Sequence, residues 1–217
     1  DFEYTNSGSL HAVYHDADIL ALKTRRAWQS EFGVEAEIVE GEALRKLEPH
    51  LSNEVVAALY YPEESHVYSP DYVKALEAAC RKNGVGIYER LEATTILEWQ
   101  DDIAVEAKDG RRFTGDCLIV CSGAWASELE EIFSIRIPVF PIRGQICAYK
   151  DVAHKLNHII FTSQGYVVAK ANGTIVNGAS EDIAGFSTEV TKKGIERLTN
   201  WNKRILPFLE KETPFHT

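Results

Sequence analysis

The sequence predicts an α+β fold built on at least one mostly antiparallel sheet. Apolar residues recur with helical spacing in the N-terminal third and again near the C-terminus, and from Ile87 onward the spacing changes to that of strands. An Asn172-Gly173 pair between two apolar runs adds a hairpin signal. At 217 residues the chain is long enough for one large domain or two small ones around a real hydrophobic core.

The N-terminal third reads as mostly helical. After a short run over Gly8 to Tyr14, Ile19, Leu20, Leu22, Ala27 and Phe32 fit a helix ending near Gly33, and a second short helix over Glu42 to Leu47 is stopped by Pro49. Val55 to Tyr61 reads as a strand ended by Pro62. Ser69-Pro70-Asp71 opens a helix, with a capping hydroxyl, a proline in the first turn and an acid at the positive end. Its apolar face carries Tyr72, Val73, Leu76, Ala79 and Cys80, and it stops at Asn83-Gly84. Strands over Thr94 to Trp99 and Ile103 to Lys108 flank a turn at Gln100-Asp101-Asp102, and Lys108-Asp109-Gly110 is a second turn. The unbroken apolar run Cys117-Leu118-Ile119-Val120-Cys121 reads as a strand buried on both faces, bending at Ser122-Gly123-Ala124-Trp125 into a short helix. Beyond Pro138 and Pro141, strands are expected over Gly144 to Tyr149, Ile159 to Thr162, Tyr166 to Lys170 and Thr174 to Asn177. A final helix carries Ile195, Leu198, Trp201 and Ile205, capped by Thr191 and ended by Pro207.

Composition removes several function classes. Apolar residues at 45% and charged residues at 26% exclude a disordered tail, a collagen-like chain and a small disulfide scaffold. A net charge of −10 argues against a nucleic-acid partner held by phosphate neutralisation. No window approaches the roughly 18 to 20 apolar residues of a membrane span. Four cysteines at unpatterned positions read as buried thiols in a reducing compartment, the cytoplasm, and no secretory signal opens the chain. The absence of methionine makes the sequence read as a piece of a longer chain.

Familiar catalytic patterns are missing: no Cys-x-x-Cys, His-Glu-x-x-His, P-loop or Gly-x-Ser-x-Gly occurs. His11/His15 and His154/His158 have metal-ligand spacing on a helix, but no third ligand is near in sequence, so both pairs read as solvated surface histidines. Gly84 and Gly86 fail the dinucleotide pattern, because its third glycine would stand at Glu89. Cys117 and Cys121 read as two small soft side chains packed on one strand face. Three segments stand out. Ser122 to Trp125 is a small-residue turn that lets backbone approach a pyrophosphate or flavin, although composition alone favours an ordinary strand-to-helix corner. Arg143 beside Gly144 suits an anion, an electron-rich ring or a surface salt bridge. Tyr166, after Gly165, is placed either to hydrogen-bond a ligand or to sit as an edge aromatic in a core.

The order of these segments resembles the FAD-dependent amine oxidases of the D-amino-acid-oxidase type, and among them the glycine oxidases of thiamine biosynthesis. Gly41-Glu42-Ala43-Leu44-Arg45-Lys46-Leu47-Glu48-Pro49 and Tyr61-Pro62-Glu63-Glu64, followed by His66-Val67-Tyr68-Ser69-Pro70, are similar to early family segments. Asp116 to Trp125 is similar to the family's strand ending in [A/C]-[A/S]-G-x-W near the flavin, and Pro141-Ile142-Arg143-Gly144-Gln145 to its P-x-[R/K]-G-[Q/E] element. Gly165-Tyr166-Val167-Val168, Asn172-Gly173 and Val176-Asn177-Gly178-Ala179-Ser180-Glu181 are similar to its substrate-domain hairpin, with Ala169 where proline is usual. The family's Gly-x-Gly-x-x-Gly segment is absent, and its main carboxylate-binding arginine would lie past Thr217.

The resemblance implies substrate-domain helices and a strand over 1–68, part of an FAD-binding α/β domain over 69–136, and a substrate-binding sheet and helix over 137–217. It implies FAD as cofactor, bound by Thr94 through backbone at the adenosine end and by Ser122, Gly123, Ala124, Trp125 and Gly144 at the flavin. It makes Tyr166 the catalytic hydroxyl that donates to the substrate carboxylate, with Glu181 toward the amine and Arg143 close by. The reaction implied is oxidation of glycine or another small amine to an imine, then an oxo acid and ammonia, with O2 reduced to H2O2. This piece alone is expected to be inactive. Sarcosine or another secondary amine, a glycerol-phosphate-type substrate, and a binding module without the cofactor are the alternatives. No metal is implied; homo-oligomers assembled through the substrate domain are.

Overall fold

The computed structural model describes residues 1–99, 102–150, 152 and 154–217. In chain order the elements are β1 (Tyr4–Thr5), β2 (Ser9–Val13), α1 (Asp16–Ser30), β3 (Glu37–Glu40), α2 (Gly41–Leu47), β4 (Ala57–Tyr61), β5 (His66–Val67) and α3 (Ser69–Lys82). They continue with β6 (Ala93–Trp99), β7 (Asp102–Ala107), β8 (Arg112–Gly115), a 3₁₀ segment over Gly123–Leu129, α4 (Glu130–Phe133), β9 (Ile146–Tyr149), β10 (Ile159–Thr162), β11 (Gly165–Ala169), β12 (Ile175–Gly178) and α5 (Lys192–Ile205). The chain divides into two units. One comprises residues 1–73, 143–182 and 187–217, and the other residues 74–142 and 183–186.

The first unit is organised by a seven-stranded sheet in the order β3-β4-β2-β10-β11-β12-β9. Every neighbouring pair is antiparallel except β2 with β10, which run parallel with Leu10 opposite Ile160. The parallel pair joins the N-terminal strands to the C-terminal ones in one sheet. The N-terminal third is therefore less helical than its apolar spacing suggests. β3, only four residues with a glutamate at each end, is too short and too charged to register as an alternating strand.

Alternation along the strands gives the sheet two different faces. One face sends Leu10, Ala58, Val39, Ile160, Val167, Ile175, Cys147 and Tyr149 into the main core, where Leu44 of α2 and Leu198, Trp201 and Ile205 of α5 cover them. The other face puts Ala57, Leu59 and Tyr61 against Leu22 of α1. Charged side chains hold the connections between these elements. Arg45 donates to the carbonyls of Leu51, Ser52 and Val55, while fully buried Glu48 accepts from the backbone N–H groups of Asn157 and His158. His158 Nδ1 lies 3.4 Å from the same carboxylate. His158 is thus a buried structural residue and not a solvated one, because strand β10 begins directly after it.

The β11–β12 hairpin forms at Asn172-Gly173, but its turn is not a primed one. Gly173 takes φ of 82°, while Asn172 keeps a negative φ and its side chain accepts from Thr174 N–H. With Gly173 N–H bonded to Lys170 O, the geometry is a turn closed by a left-handed glycine bulge. Lys170, leaving β11, donates to Val67 O and lies 3.0 Å from His66 Nδ1, which ties β5 to this hairpin.

In the second unit β6-β7-β8 form a three-stranded antiparallel sheet. The expected turn at Gln100-Asp101 lies outside the described residues. The run Cys117 to Cys121 is not a buried strand: Ile119 is 81% exposed, and none of the described strands pairs with the segment. Continuous hydrophobicity marks a strand only where neighbours supply its backbone partners. The expectation of buried thiols fails with it. Cys117 and Cys121 are exposed, Cys80 is half-buried and only Cys147 is enclosed. The apolar spacing of α3 does produce a helix, but none of its residues is buried.

Helix α5 begins as the sequence predicts. Thr191 is its N-cap, with Oγ1 accepting from Gly194 N–H. A methyl group at Gly194 would collide with the Gln145 carboxamide. In a free first turn Gly to Ala would stabilise by up to about 1 kcal/mol. Here Gly194→Ala is expected to destabilise by about 1 to 3 kcal/mol through overpacking, measured as a lower urea midpoint with unchanged slope.

Candidate active site

A cavity of about 640 Å³ opens where the β10–β11 turn, the segment after β12 and α5 meet; its lining includes Phe161, Gln164, Tyr166, Glu181, Arg197 and Trp201. Tyr166 and Glu181 were both expected at one site from the sequence, and both line this cavity. Tyr166 stands opposite Gly178 across the β11–β12 pair. A Cβ at Gly178 would lie 3.1 Å from the Tyr166 hydroxyl and 2.7 Å from Ile146 Cγ2, so the glycine makes the space the phenol occupies. Burial raises the Tyr166 pKa above the ordinary tyrosine value. The phenol therefore stays protonated at neutral pH and remains a hydrogen-bond donor.

The sheet face carrying Tyr166 continues as a row of rings. Phe161 lies 6.0 Å from Tyr166, and His11 stacks on Phe161 at 4.7 Å and 19°. Tyr61 meets His11 edge-on at 5.0 Å. His11 is therefore a strand residue packed between rings, in contrast to the solvated surface position expected for it. Arg25 Nη1 lies 3.2 Å from His11 Nδ1. Since a guanidinium can only donate, Nδ1 is the acceptor and Nε2 carries the proton. Desolvation first, and the Arg25 charge second, lower the His11 pKa to about 4.

Arg143 is not among the residues lining the cavity. Its backbone pairs with Asp182 in both directions, and its Nε sits 3.8 Å from Asp182 Oδ2. That separation makes an ion pair but is too long for a hydrogen bond from Nε. Asp182 also accepts from Ser180 Oγ at 2.8 Å and from Gln145 Nε2 at 2.7 Å, bonds that lower its pKa below the ordinary carboxylate value. Gln145 Oε1 accepts from Thr191 N–H at 2.6 Å. Gly144, next to this network, is exposed.

The expected cofactor residues Ser122, Gly123, Ala124 and Trp125 belong to the second unit. Gly123 takes φ of 54° at the start of the 3₁₀ segment, and Trp125 stacks on Phe186 at 5.4 Å and 18°. Ser122 Oγ is buried without a hydrogen-bond partner, as is Arg143 Nε in the first unit. A Cβ at Gly123 would meet nothing within 4 Å. Within the second unit, an unsatisfied buried hydroxyl next to an open glycine turn fits a polar group such as a flavin edge. Thr94 lies on β6 at the register shift between Ala93 and Thr95; its side chain is outside the described part. Among the described residues no group of three or more His, Cys, Asp or Glu could hold a metal.

Sequence reasoning missed Arg197 and Trp201 of α5, and Phe161. Helical spacing marks Leu198 and Trp201 as core, and nothing in that pattern shows that Arg197 and Trp201 also border a cavity.

The Tyr166 hairpin beside a cavity and the unpartnered Ser122 hydroxyl beside a left-handed glycine agree with a flavin-dependent oxidoreductase, the class that the comparisons show. Residues 1–216 match the FAD-dependent oxidoreductase (DAO) family, and the chain belongs to it. It is 27% identical over 176 residues to glycine oxidase of Geobacillus kaustophilus, a match that covers 80% of this chain and 46% of that protein. It is 28% identical over 211 residues to hydrogen cyanide synthase subunit HcnC of Pseudomonas protegens, covering 96% of this chain and 51% of that one. The solved glycine oxidase of Bacillus cereus superposes with a TM-score of 0.90 at 25% identity, over 97% of this chain and 58% of that one. The chain thus spans about half the length of these relatives.

His11 supplies a pH test. Its pKa is depressed in the folded state, so the unfolded chain binds the proton more readily between about 4 and 6.5. Stability is therefore full above pH 6.5 and falls as the pH drops toward 4. The expected loss attributable to His11 is about 2 kcal/mol after discounting for partial exposure. His11→Phe keeps the ring stack and should flatten that part of the profile, measured by denaturant unfolding at pH 7, 5.5 and 4.5.

Proposed function

We propose that the intact protein oxidises glycine or another small amino acid to its imine, which hydrolyses to an oxo acid and ammonia. The observation that carries this reading is the convergence of a neutral phenol, Tyr166, with Glu181 and Arg197 on one cavity of about 640 Å³. FAD held by these residues would supply the two-electron oxidation, with a hydride as the form in which the electrons leave the substrate and O2 as their final acceptor.

The chain's own residues bind and orient. Tyr166 Oη donates to the substrate carboxylate, which fixes one end of the molecule. Glu181 accepts from the amine at the other end, and its exposed carboxylate gives the departing ammonium proton a route to solvent. With the lone pair free, the C–N bond gains double-bond character as the hydride leaves. Phe161 and Trp201 keep part of the wall apolar and reduce access of water to the imine until it is released. In the second unit, Ser122 would offer its unsatisfied hydroxyl to the cofactor, Gly123, Ala124 and Trp125 would let it approach closely, and Thr94 would contribute backbone at the adenosine end. In the first unit, Gly144 would serve the cofactor and Arg143 the substrate.

Among the described residues no helix is long and apolar enough to cross a membrane. The four cysteines are unpaired and two are exposed, which suits a reducing compartment, and we place the protein in the cytoplasm.

Two measurements on the full-length holoprotein test the reading. Glycine added without oxygen should bleach the oxidised flavin band; a flavoprotein that stays yellow with glycine and with other small amino acids contradicts it. Tyr166→Phe should lower kcat/KM about tenfold to a hundredfold, the loss of one hydrogen bond to a charged group at roughly 1.5 to 3 kcal/mol. An unchanged kcat/KM for every amine removes Tyr166 from the site.

A further inference from the structure

A glycine held by the Tyr166 hydroxyl and by Glu181 leaves one charged group of the cavity without a task, Arg197. Among the described residues the Arg197 guanidinium makes no hydrogen bond or ion pair, although acids lie near it. Asp182 feels its charge, but that carboxylate is already taken by Ser180 Oγ, by Gln145 Nε2 and, at 3.8 Å, by Arg143 Nε. Glu196, its neighbour on α5, lies 3.7 Å from Lys192 Nζ. No ion pair joins Arg197 to Glu181, so two opposite charges border one cavity from separate positions.

Helical spacing turns Arg197 toward the cavity. Arg197 and Trp201 are four residues apart on α5, hence on one face of it, and both line the cavity. Trp201 is buried, which fixes that face, while Arg197 is exposed and keeps its donors for a ligand. An unpaired guanidinium is a fork that matches a planar anion with two oxygens. A carboxylate fits it better than a phosphate. A phosphate ester would set close to two negative charges against a single guanidinium, with Glu181 and Asp182 near enough to repel the excess.

We propose that the substrate is an amino acid with a second carboxylate, of the aspartate or glutamate type, and that Arg197 binds the side-chain carboxylate. The inference rests on the oxidase reading of this cavity and makes Arg197 its specificity-determining residue. Tyr166 holds the α-carboxylate and Glu181 the amine, so three unlike groups of the substrate meet three unlike side chains. The overall change balances as before: the amino dicarboxylic acid, O2 and water give the oxo dicarboxylic acid, ammonia and H2O2.

The test compares isosteric pairs on the full-length holoprotein. Aspartate and asparagine, and glutamate and glutamine, each as both enantiomers, differ in charge at one end and hardly in shape. The preferred acid should exceed its amide about tenfold in kcat/KM. Arg197→Gln should bring acid and amide together, and Arg197→Lys should keep part of the difference. Arg197 is exposed, so both variants should fold, as circular dichroism will verify. Binding is read separately by calorimetry with malate, which carries a hydroxyl in place of the amine of aspartate, and with glycolate, which lacks the second carboxylate. Malate should bind about tenfold more tightly than glycolate, and Arg197→Gln should remove that difference. An acid that reacts no better than its amide, a preference that survives Arg197→Gln, or O-phosphoserine outpacing both acids overturns the proposal and leaves the oxidation of glycine standing. A flavin that no amine bleaches contradicts the oxidase reading instead. Malate held through Arg197 would then still assign a dicarboxylic ligand to the cavity, and malate bound no better than glycolate would overturn that too.

Discussion

The buried carboxamide of Gln145 is the constraint on which the candidate site depends. Its nitrogen reaches Asp182 and its oxygen accepts from Thr191 N–H, while its own backbone is bonded to Ser180 in both directions. Three pieces of chain distant in sequence are thereby fixed together: the approach to β9, the segment after β12 and the first turn of α5. Two of those pieces, the 179–181 segment and α5, supply cavity residues, namely Ala179, Glu181, Arg197, Leu198 and Trp201. A half-satisfied version of this network would leave a buried amide and a carboxylate without partners, a cost of several kcal/mol. Gly194 is small because the carboxamide occupies the space a side chain would need.

The same logic explains why the short sequence landmarks occur where they do. Gln145 belongs to the Pro-Ile-Arg-Gly-Gln element, Ser180 to the Gly-Ala-Ser element, and the two meet here. Arg45 and Glu48 of the Gly-Glu-Ala-Leu-Arg-Lys-Leu-Glu-Pro segment do comparable work on the other side of the core, bonding the 51–55 carbonyls and the 157–158 amides. His66-Val67 is held by Lys170. Several of the residues that carry the resemblance are thus polar fixings of loops, among them Arg45, Glu48, Gln145 and Ser180.

That division governs how much was legible in the sequence. Helices α1, α2, α3 and α5 and strands β4, β7 and β9–β12 follow from apolar spacing and from caps such as Thr191, because local chemistry decides them. The parallel β2–β10 pairing does not, since it joins residues about 150 positions apart. Cys117 to Cys121 misleads because hydrophobicity reports that a segment seeks burial, not whether a partner stands beside it. His11 and His158 mislead for the opposite reason: polar neighbours in sequence say nothing of the rings and carboxylates that tertiary structure places around them. At the site, Tyr166 and Glu181 are marked by the hairpin in which they sit. Arg197, one residue from buried Leu198 on a regular amphipathic helix, carries no mark of its own.

The sheet thus presents a protonated phenol beside a cavity, held in register by Gly178 and by the Gln145 network. The most direct test of the account is a crystal structure of the full-length holoprotein with glycolate, in which a hydroxyl replaces the amine of glycine. The expected result is a glycolate carboxylate within hydrogen-bonding distance of Tyr166 Oη, about 2.7 Å, with its hydroxyl directed toward Glu181. Glycolate held elsewhere, with Tyr166 Oη beyond about 3.5 Å of any of its oxygens, would contradict the assignment of this cavity as the substrate site.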